Sequence, residues 1–146
     1  MKREIKAYIE AELRDYHDTL KAIQEDRATL LNSTPAPDNI GGTSYDIGNP
    51  TQAKALQLMT NRRIKRMDDT CRAIAKVIDA LPEDKYKLVM LRYWTRPQTL
   101  TDEGIAREIG IDRSTLYRWA DGIIKLIGIE FGLINSCDNV ATFKGA

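Results

Sequence analysis

The sequence predicts an all-α protein: a long antiparallel helical hairpin followed by a small helix-turn-helix bundle. Three observations predict it. Two long stretches carry apolar residues spaced alternately by three and four; a Pro/Gly-rich segment separates them; and the last third breaks into short amphipathic segments around a single glycine.

The first helix is expected from Lys2 to about Asn32, a stretch without Gly or Pro. Ile9, Leu13, Tyr16, Leu20, Ile23 and Leu30 recur at three-four spacing, with Arg27 filling the one gap. That is a coiled-coil seam. At ~1.5 Å per residue such a helix runs about 45 Å, and so narrow a stripe needs a partner. Ile64, Met67, Cys71, Ile74, Ile78 and Leu81 repeat the rhythm downstream. This second helix is expected to begin near Thr51, behind Pro50, and to end before Pro82. Between them, "STPAPDNIGGTSYDIGNP" (33–50) has no period. Loops longer than ~12–15 residues are commonly functional or disordered, and this one carries Ile40, Tyr45 and Ile47, which a plain connection does not need.

After Leu81, "PEDKYKLVMLRYW" opens with a proline and two acids, a favourable helix N-terminus. Pro97 breaks that run. Thr101 then stands as an N-cap ahead of Asp102 and Glu103. Ile105, Ala106 and Ile109 make one face of a two-turn helix, Gly110 supplies a left-handed helix end, Ile111 is buried in the turn, and Asp112 caps the next helix. The tail "LINSCDNVATFKGA" has no period and is expected to fray. The expected organisation is a hairpin over 1–81, a helix-turn-helix domain over 82–134 and a flexible tail over 135–146.

Composition bounds the function. Hydrophobic residues make up 42% of the 146, and 22 Lys+Arg stand against 21 Asp+Glu, a net charge of +1. Such balance carries no sign of nucleic-acid binding, so that reading must rest on where charges sit. No apolar run approaches the ~18 residues of a membrane span, and the charged N-terminus is neither a signal nor a transit peptide. Cys71 and Cys137 have no metal or redox spacing. These features predict a soluble protein of a reducing cytoplasm, with no membrane partner, metal or cofactor. Nor is an enzyme expected. The one histidine, His17, lies on a charged helix, no nucleophile–base set assembles around it, and "NIGGTS" lacks the lysine of a phosphate loop. Adjacent acids such as Asp68-Asp69 and Asp102-Glu103 diverge by about 100° on a helix.

The segment "GIAREIGIDRSTLYRWADGI" (104–123) carries the chemistry. Taking Leu116 as zero and about 100° per residue, Trp119, Ala120, Ile123 and Ile127 fall on one side of the second helix. Ser114, Tyr117, Arg118, Asp121 and Lys125 fall opposite, with Arg113 and Thr115 flanking. A face so rich in donors, just after a tight turn, suits a helix laid in the major groove. Arg pairs with guanine bidentately, and Ser or Thr meets bases or phosphates. The expected base readers are Arg113, Ser114, Tyr117 and Arg118, with Thr101 and Thr115 on phosphates. "NRRIKR" (61–66) adds Arg62, Arg63, Lys65 and Arg66, and Arg92 and Arg96 lie near the turn before the reading helix. Arg62, Arg63, Lys65, Arg66 and Arg96 form a candidate phosphate patch; a solvated face paired with nearby acids is the other reading.

The order Ile105-Ala106, Ile109-Gly110-Ile111, Leu116, Trp119 resembles the helix-turn-helix pattern at its buried and small positions. "LPEDKYKLVMLRYWTRPQTLTDEGIAREIGIDRSTLYRWADGI" further resembles the region-4 domain of bacterial sigma factors, with Thr101, Glu103 and Ile105 approximating its Thr-x-x-Glu-Ile-Ala spacing. Together with "YIEAELRDYHDT" and "STPAPDNIGG", it resembles bacteriophage transcriptional regulators of the RinA type over roughly Ile5 to Phe131. That resemblance implies binding of double-stranded promoter DNA and activation of late phage genes in a bacterial host cell, with host RNA polymerase as a further partner. Two other readings stand beside it: a phage DNA-packaging recognition subunit resembling a small terminase, and a helical protein-interaction module. Tyr8, Leu56 and Met59 lie off the seams and suit a homodimer, which fits two half-sites about one helical turn apart.

Overall fold

A computed structural model describes residues 1–32 and 50–135. Among these the protein is all-helical, without strands. The elements are α1 (Arg3–Arg14), α2 (Tyr16–Asn32), α3 (Pro50–Asp79), α4 (Glu83–Val89), α5 (Asp102–Ile109) and α6 (Arg113–Glu130). A π-helical turn, Met90–Trp94, continues α4. The expected Pro/Gly loop up to Asn49, and the tail from residue 136, lie outside the described residues.

The chain forms two compact units. One joins Met1–Tyr16 to the chain from Arg72 onward; the other is His17–Cys71. The single helix expected over 2–32 is interrupted at Asp15, whose backbone (φ −89°, ψ 4°) leaves the helix. The reason lies far away in sequence. Trp94 donates its indole N–H to the Leu13 carbonyl at 2.9 Å. Arg96 donates to the Arg14 carbonyl at 2.8 Å and to the Asp15 carboxylate at 3.2 Å. Carbonyls at a helix end need such partners, and here side chains supply them, so α1 stops where its last turn meets the π-helical turn.

The first unit holds a core of Ile9 and Leu13 from α1, Ile74, Val77 and Ile78 from α3, Leu88 and Val89 from α4, Ile105 and Ala106 from α5, and Leu116, Ala120, Ile123, Ile124 and Ile127 from α6. Each large aliphatic side chain so buried is worth about 1.5–3 kcal/mol. Tyr93 joins them, 2% exposed. α1 approaches α6 closely because residue 128 is glycine: a Cβ there would clash with Ile134 Cδ1 and would meet Ile9 Cδ1 at 2.9 Å. Gly132, at φ +78°, closes α6, and the Leu133 N–H returns to the Gly128 carbonyl at 2.9 Å. This is the hydrogen-bonding of a Schellman helix end. Leu133 and Ile134, expected to begin the frayed tail, instead follow that helix end, and Ile134 packs on the core.

In the second unit Ile23, Ile64 and Cys71 are buried, so the two seams are visible here too. Arg63 donates to Asp26 at 2.6 Å, and Arg27 lies 3.8 Å from Asp68. Leu31, Leu56, Leu58 and Met59 are exposed.

Candidate nucleic-acid interface

Thr101 opens α5 as expected, its Oγ1 accepting the Gly104 N–H at 3.1 Å. Ile105 and Ala106 anchor the helix in the core. Gly110 ends it at φ +88°, and the N–H groups of Gly110 and Ile111 both return to the Ala106 carbonyl at 2.9 Å. A residue with a Cβ disfavours that backbone conformation. Ile111, expected to be buried, is half-buried against the core. Asp112 is extended (φ −85°, ψ 165°), and α6 starts at Arg113. Three residues therefore separate the two helices.

α6 is sharply two-sided over its first two turns. Leu116 and Ala120 are buried, while Arg113, Ser114, Tyr117 and Arg118 are exposed and Thr115 is half-buried. The outward face does not run on as far as the helical wheel suggests. Asp121 is ion-paired with Lys6 of α1 at 2.7 Å, Lys125 is half-buried, and Ile124, off the wheel's apolar side, is 0% exposed. α1 covers that flank, and only the N-terminal portion of α6 presents donors.

Those donors sit in two small networks. In the first, Ser114 and Thr115 both donate their hydroxyls to the Asp112 carboxylate. These bonds hold Asp112 below the usual carboxylate range. Arg118 in turn donates to Thr115 Oγ1 at 3.2 Å. In the second, Asp102 accepts the Arg92 guanidinium at 3.1 Å on one oxygen and the Tyr117 hydroxyl at 3.1 Å on the other. The Arg92 and Arg113 guanidinium carbons lie 5.7 and 5.9 Å from the centre of the Tyr117 ring, both cation–π contacts. Behind it, Arg92 also donates to the Tyr93 hydroxyl at 3.0 Å, and that hydroxyl donates to Glu10 at 3.3 Å. Burial pushes the Tyr93 phenol up to about 12, with Arg92 pulling against it and Glu10 adding to it.

The structure thus brings Thr101, Arg113, Ser114, Thr115, Tyr117 and Arg118 into one unit, the last five on two turns of α6. The residues of the candidate phosphate patch belong to different units. Arg62, Lys65 and Arg66 are exposed on α3 in the second unit, where Arg63 is held by Asp26. Arg96 belongs to the first unit and is bound to the end of α1. The organising role of Asp102 is not legible in the sequence, where it stands as a first-turn acid; an acid there, fifteen residues before Tyr117, is the one available signal. Arg14, on α1, had no local signal. Among the described residues no cluster of His, Cys, Asp or Glu suits a metal, and no helix is long and apolar enough to cross a membrane.

Compared with known proteins, residues 6–128 match a family profile described as "Protein of unknown function (DUF722)". No curated protein and no solved structure matches the chain.

Proposed function

The chain belongs to the DUF722 family, and we propose that it is a sequence-specific DNA-binding transcription regulator of bacteriophage type, resembling the RinA regulators and, in its C-terminal part, sigma-factor region 4. The observation that carries this reading is the bare donor face on the first two turns of α6, set behind the left-handed Gly110 turn. In this reading α5 and α6 are the helix-turn-helix, α2 and α3 pair as an antiparallel hairpin, and the N-terminal part of α6 enters the major groove.

The networks refine the residue roles. Arg113 and Arg118 form no ion pair among the described residues, so their guanidinium groups suit guanine or phosphate. The Tyr117 hydroxyl is committed to Asp102, which leaves its ring as an apolar contact. Ser114 and Thr115 must exchange Asp112 for a DNA acceptor. Activation of late genes, contact with host RNA polymerase, action in the bacterial cytoplasm and work as a homodimer complete the reading; exposed Tyr8, Leu56 and Met59 supply apolar surface for a second copy. The protein acts by binding, without catalysis or a cofactor.

Selection of bound fragments from a random DNA pool tests the reading. A recurrent motif is expected, with half-sites spaced by about one helical turn. Arg113→Ala with Arg118→Ala is expected to cost about 1–3 kcal/mol per lost base contact and to relax preference at those positions. No motif, or an unchanged preference in the double variant, overturns it. Solution mass is expected to give a dimer; a ring of eight or more chains points to DNA packaging instead.

A further inference from the structure

Beside the N-terminal face of α6 the first unit holds a cleft of about 470 Å³, open to solvent, lined by Arg14, Arg92, Thr95, Arg96, Gln98 and Asp102. Three guanidinium groups face a single carboxylate there. We propose that this cleft seats a backbone phosphate of the DNA and clamps the strand next to the bases that α6 reads; the inference rests on the DNA-binding reading above.

The chemistry of the lining favours an anion. Thr95 and Gln98 are committed to the wall: Thr95 donates to the Met90 carbonyl at 2.8 Å, and Gln98 donates to the Leu91 and Arg92 carbonyls at 2.9 and 3.1 Å. The Gln98 side-chain oxygen accepts the Leu100 N–H at 3.2 Å. These bonds hold the segment after the π-helical turn in shape. Recognition therefore falls to the arginines. Arg92 spends Nε on Asp102 and one Nη1 proton on the Tyr93 hydroxyl, so a guanidinium with five N–H groups retains others for a ligand. Arg14 lies over the Tyr93 ring, its centre 5.5 Å away, and its nearest carboxylate, Glu10, is 3.7 Å off, beyond a good hydrogen bond. Arg96, bound to the Arg14 carbonyl and Asp15, contributes charge to the rim. Guanidinium forks match phosphate oxygens in geometry as well as charge.

Position selects the source of the phosphate. Asp102 is at once a wall of the cleft and the acceptor of the Tyr117 hydroxyl. Arg92, from the cleft, and Arg113, from the first turn of α6, both lie within 6 Å of the Tyr117 ring centre. The cleft and the outward face of α6 therefore adjoin at Asp102 and Tyr117. A strand that brings its bases to α6 passes its sugar-phosphate chain along this edge, where phosphate contacts position the duplex without reading sequence.

The test uses the full chain, a fragment carrying the selected motif and a random fragment of equal length. Arg14→Ala removes an exposed side chain; Arg92→Lys keeps the charge and loses the fork. Arg14→Ala is expected to weaken both fragments equally, by about three- to tenfold, and to reduce the slope of log K against log salt by about one; Arg92→Lys is expected to weaken both fragments by at least about threefold. Tryptophan fluorescence melting checks that each variant is folded. If wild type binds the motif and both folded variants keep its affinity and salt slope, the clamp is refuted while the DNA-binding reading stands. If wild type binds no DNA, the reading itself fails. Nitrogen-15 spectra of the arginine Nε groups, taken with inorganic phosphate alone and then with DNA, separate the sources. Shifts of Arg14 and Arg92 with DNA support the clamp; shifts with inorganic phosphate that DNA does not displace assign the cleft to a free phosphate compound and overturn it.

Discussion

Replacing Ile9 by Ala tests whether α1 is a structural part of the unit that carries the candidate interface. Ile9 is 0% exposed, and its Cδ1 would be 2.9 Å from a Cβ placed on Gly128 of α6. The substitution removes three buried carbons, roughly 2.4 kcal/mol at about 0.8 kcal/mol each. The floor of the resulting hole is a glycine, which has no side chain to fill it, so a cavity term adds to the loss. The expected cost is about 3–4 kcal/mol, inside the ~2–5 kcal/mol range of such truncations. With a urea m-value near ~1.5 kcal/mol per molar, the midpoint falls by about 2 M. The assay is a urea titration followed by far-UV circular dichroism and by fluorescence. Both tryptophans of the chain, Trp94 and Trp119, lie in this unit, so fluorescence reports on it selectively. A cost below about 1 kcal/mol, or an unmoved fluorescence transition, refutes the packing of α1 described above.

Gly110→Ala is expected to cost about 1–2 kcal/mol, because the position sits at φ +88° even though a Cβ there meets nothing within 4 Å; Gly110→Asn is expected to cost less, and equal costs in urea titrations would place the penalty elsewhere. Tyr93 gives an alkaline signature: between the ordinary tyrosine value near ~10 and about 12 the folded state keeps a proton that the unfolded state has lost. That stability is present below the lower value and is lost as pH rises through the window, so unfolding midpoints measured across it should fall in wild type and flatten in Tyr93→Phe. Asp102→Asn removes a charge from the interface and loosens both Arg92 and Tyr117. It is expected to raise affinity for random DNA several-fold while narrowing the gap to the selected motif, and a fall in random-DNA affinity contradicts the placement of Asp102 beside the bound strand.

The legible parts of the fold were those written in local chemistry. Thr101 caps α5 and Gly110 ends it at a positive φ, each acting at its own position; Asp112 takes the N-cap position of α6, but its carboxylate accepts the Ser114 and Thr115 hydroxyls instead of a backbone N–H. The apolar spacing picked out Ile9, Leu13, Ile23, Ile64, Cys71, Ile74 and Ile78, all buried. What failed to show was set by partners distant in sequence. The helix break at Asp15 comes from donors on Trp94 and Arg96. Nothing in "ELRDYHD" signals it, since every residue there tolerates a helix. Ile124 is buried because α1 covers a flank of α6 that a helical wheel counts as marginal. The five-residue cation patch is divided between the units: Arg96 belongs to the first, and Arg62, Arg63, Lys65 and Arg66 to the second.

On the proposed DNA-binding reading, the near-zero net charge of the chain matters less than how its cations are held. Arg92 is paired with Asp102 at 3.1 Å, Arg96 with Asp15 at 3.2 Å, and Lys6 with Asp121 at 2.7 Å. Such pairs cancel the long-range field that draws a polyanion to any basic surface. On the proposed reading, a phosphate must compete with a resident carboxylate for Arg92, so each contact of this kind contributes little net affinity and non-specific binding stays weak. Arg113 and Arg118 differ, having no carboxylate partner among the described residues. They stand on the first two turns of α6, where, on that reading, a base edge would be met without giving up an ion pair. Discrimination depends on the ratio of specific to non-specific affinity. On the proposed reading, a surface that keeps its flanking cations occupied and Arg113 and Arg118 open raises that ratio without any excess of positive charge, in accord with the 22 cations against 21 acids of this sequence.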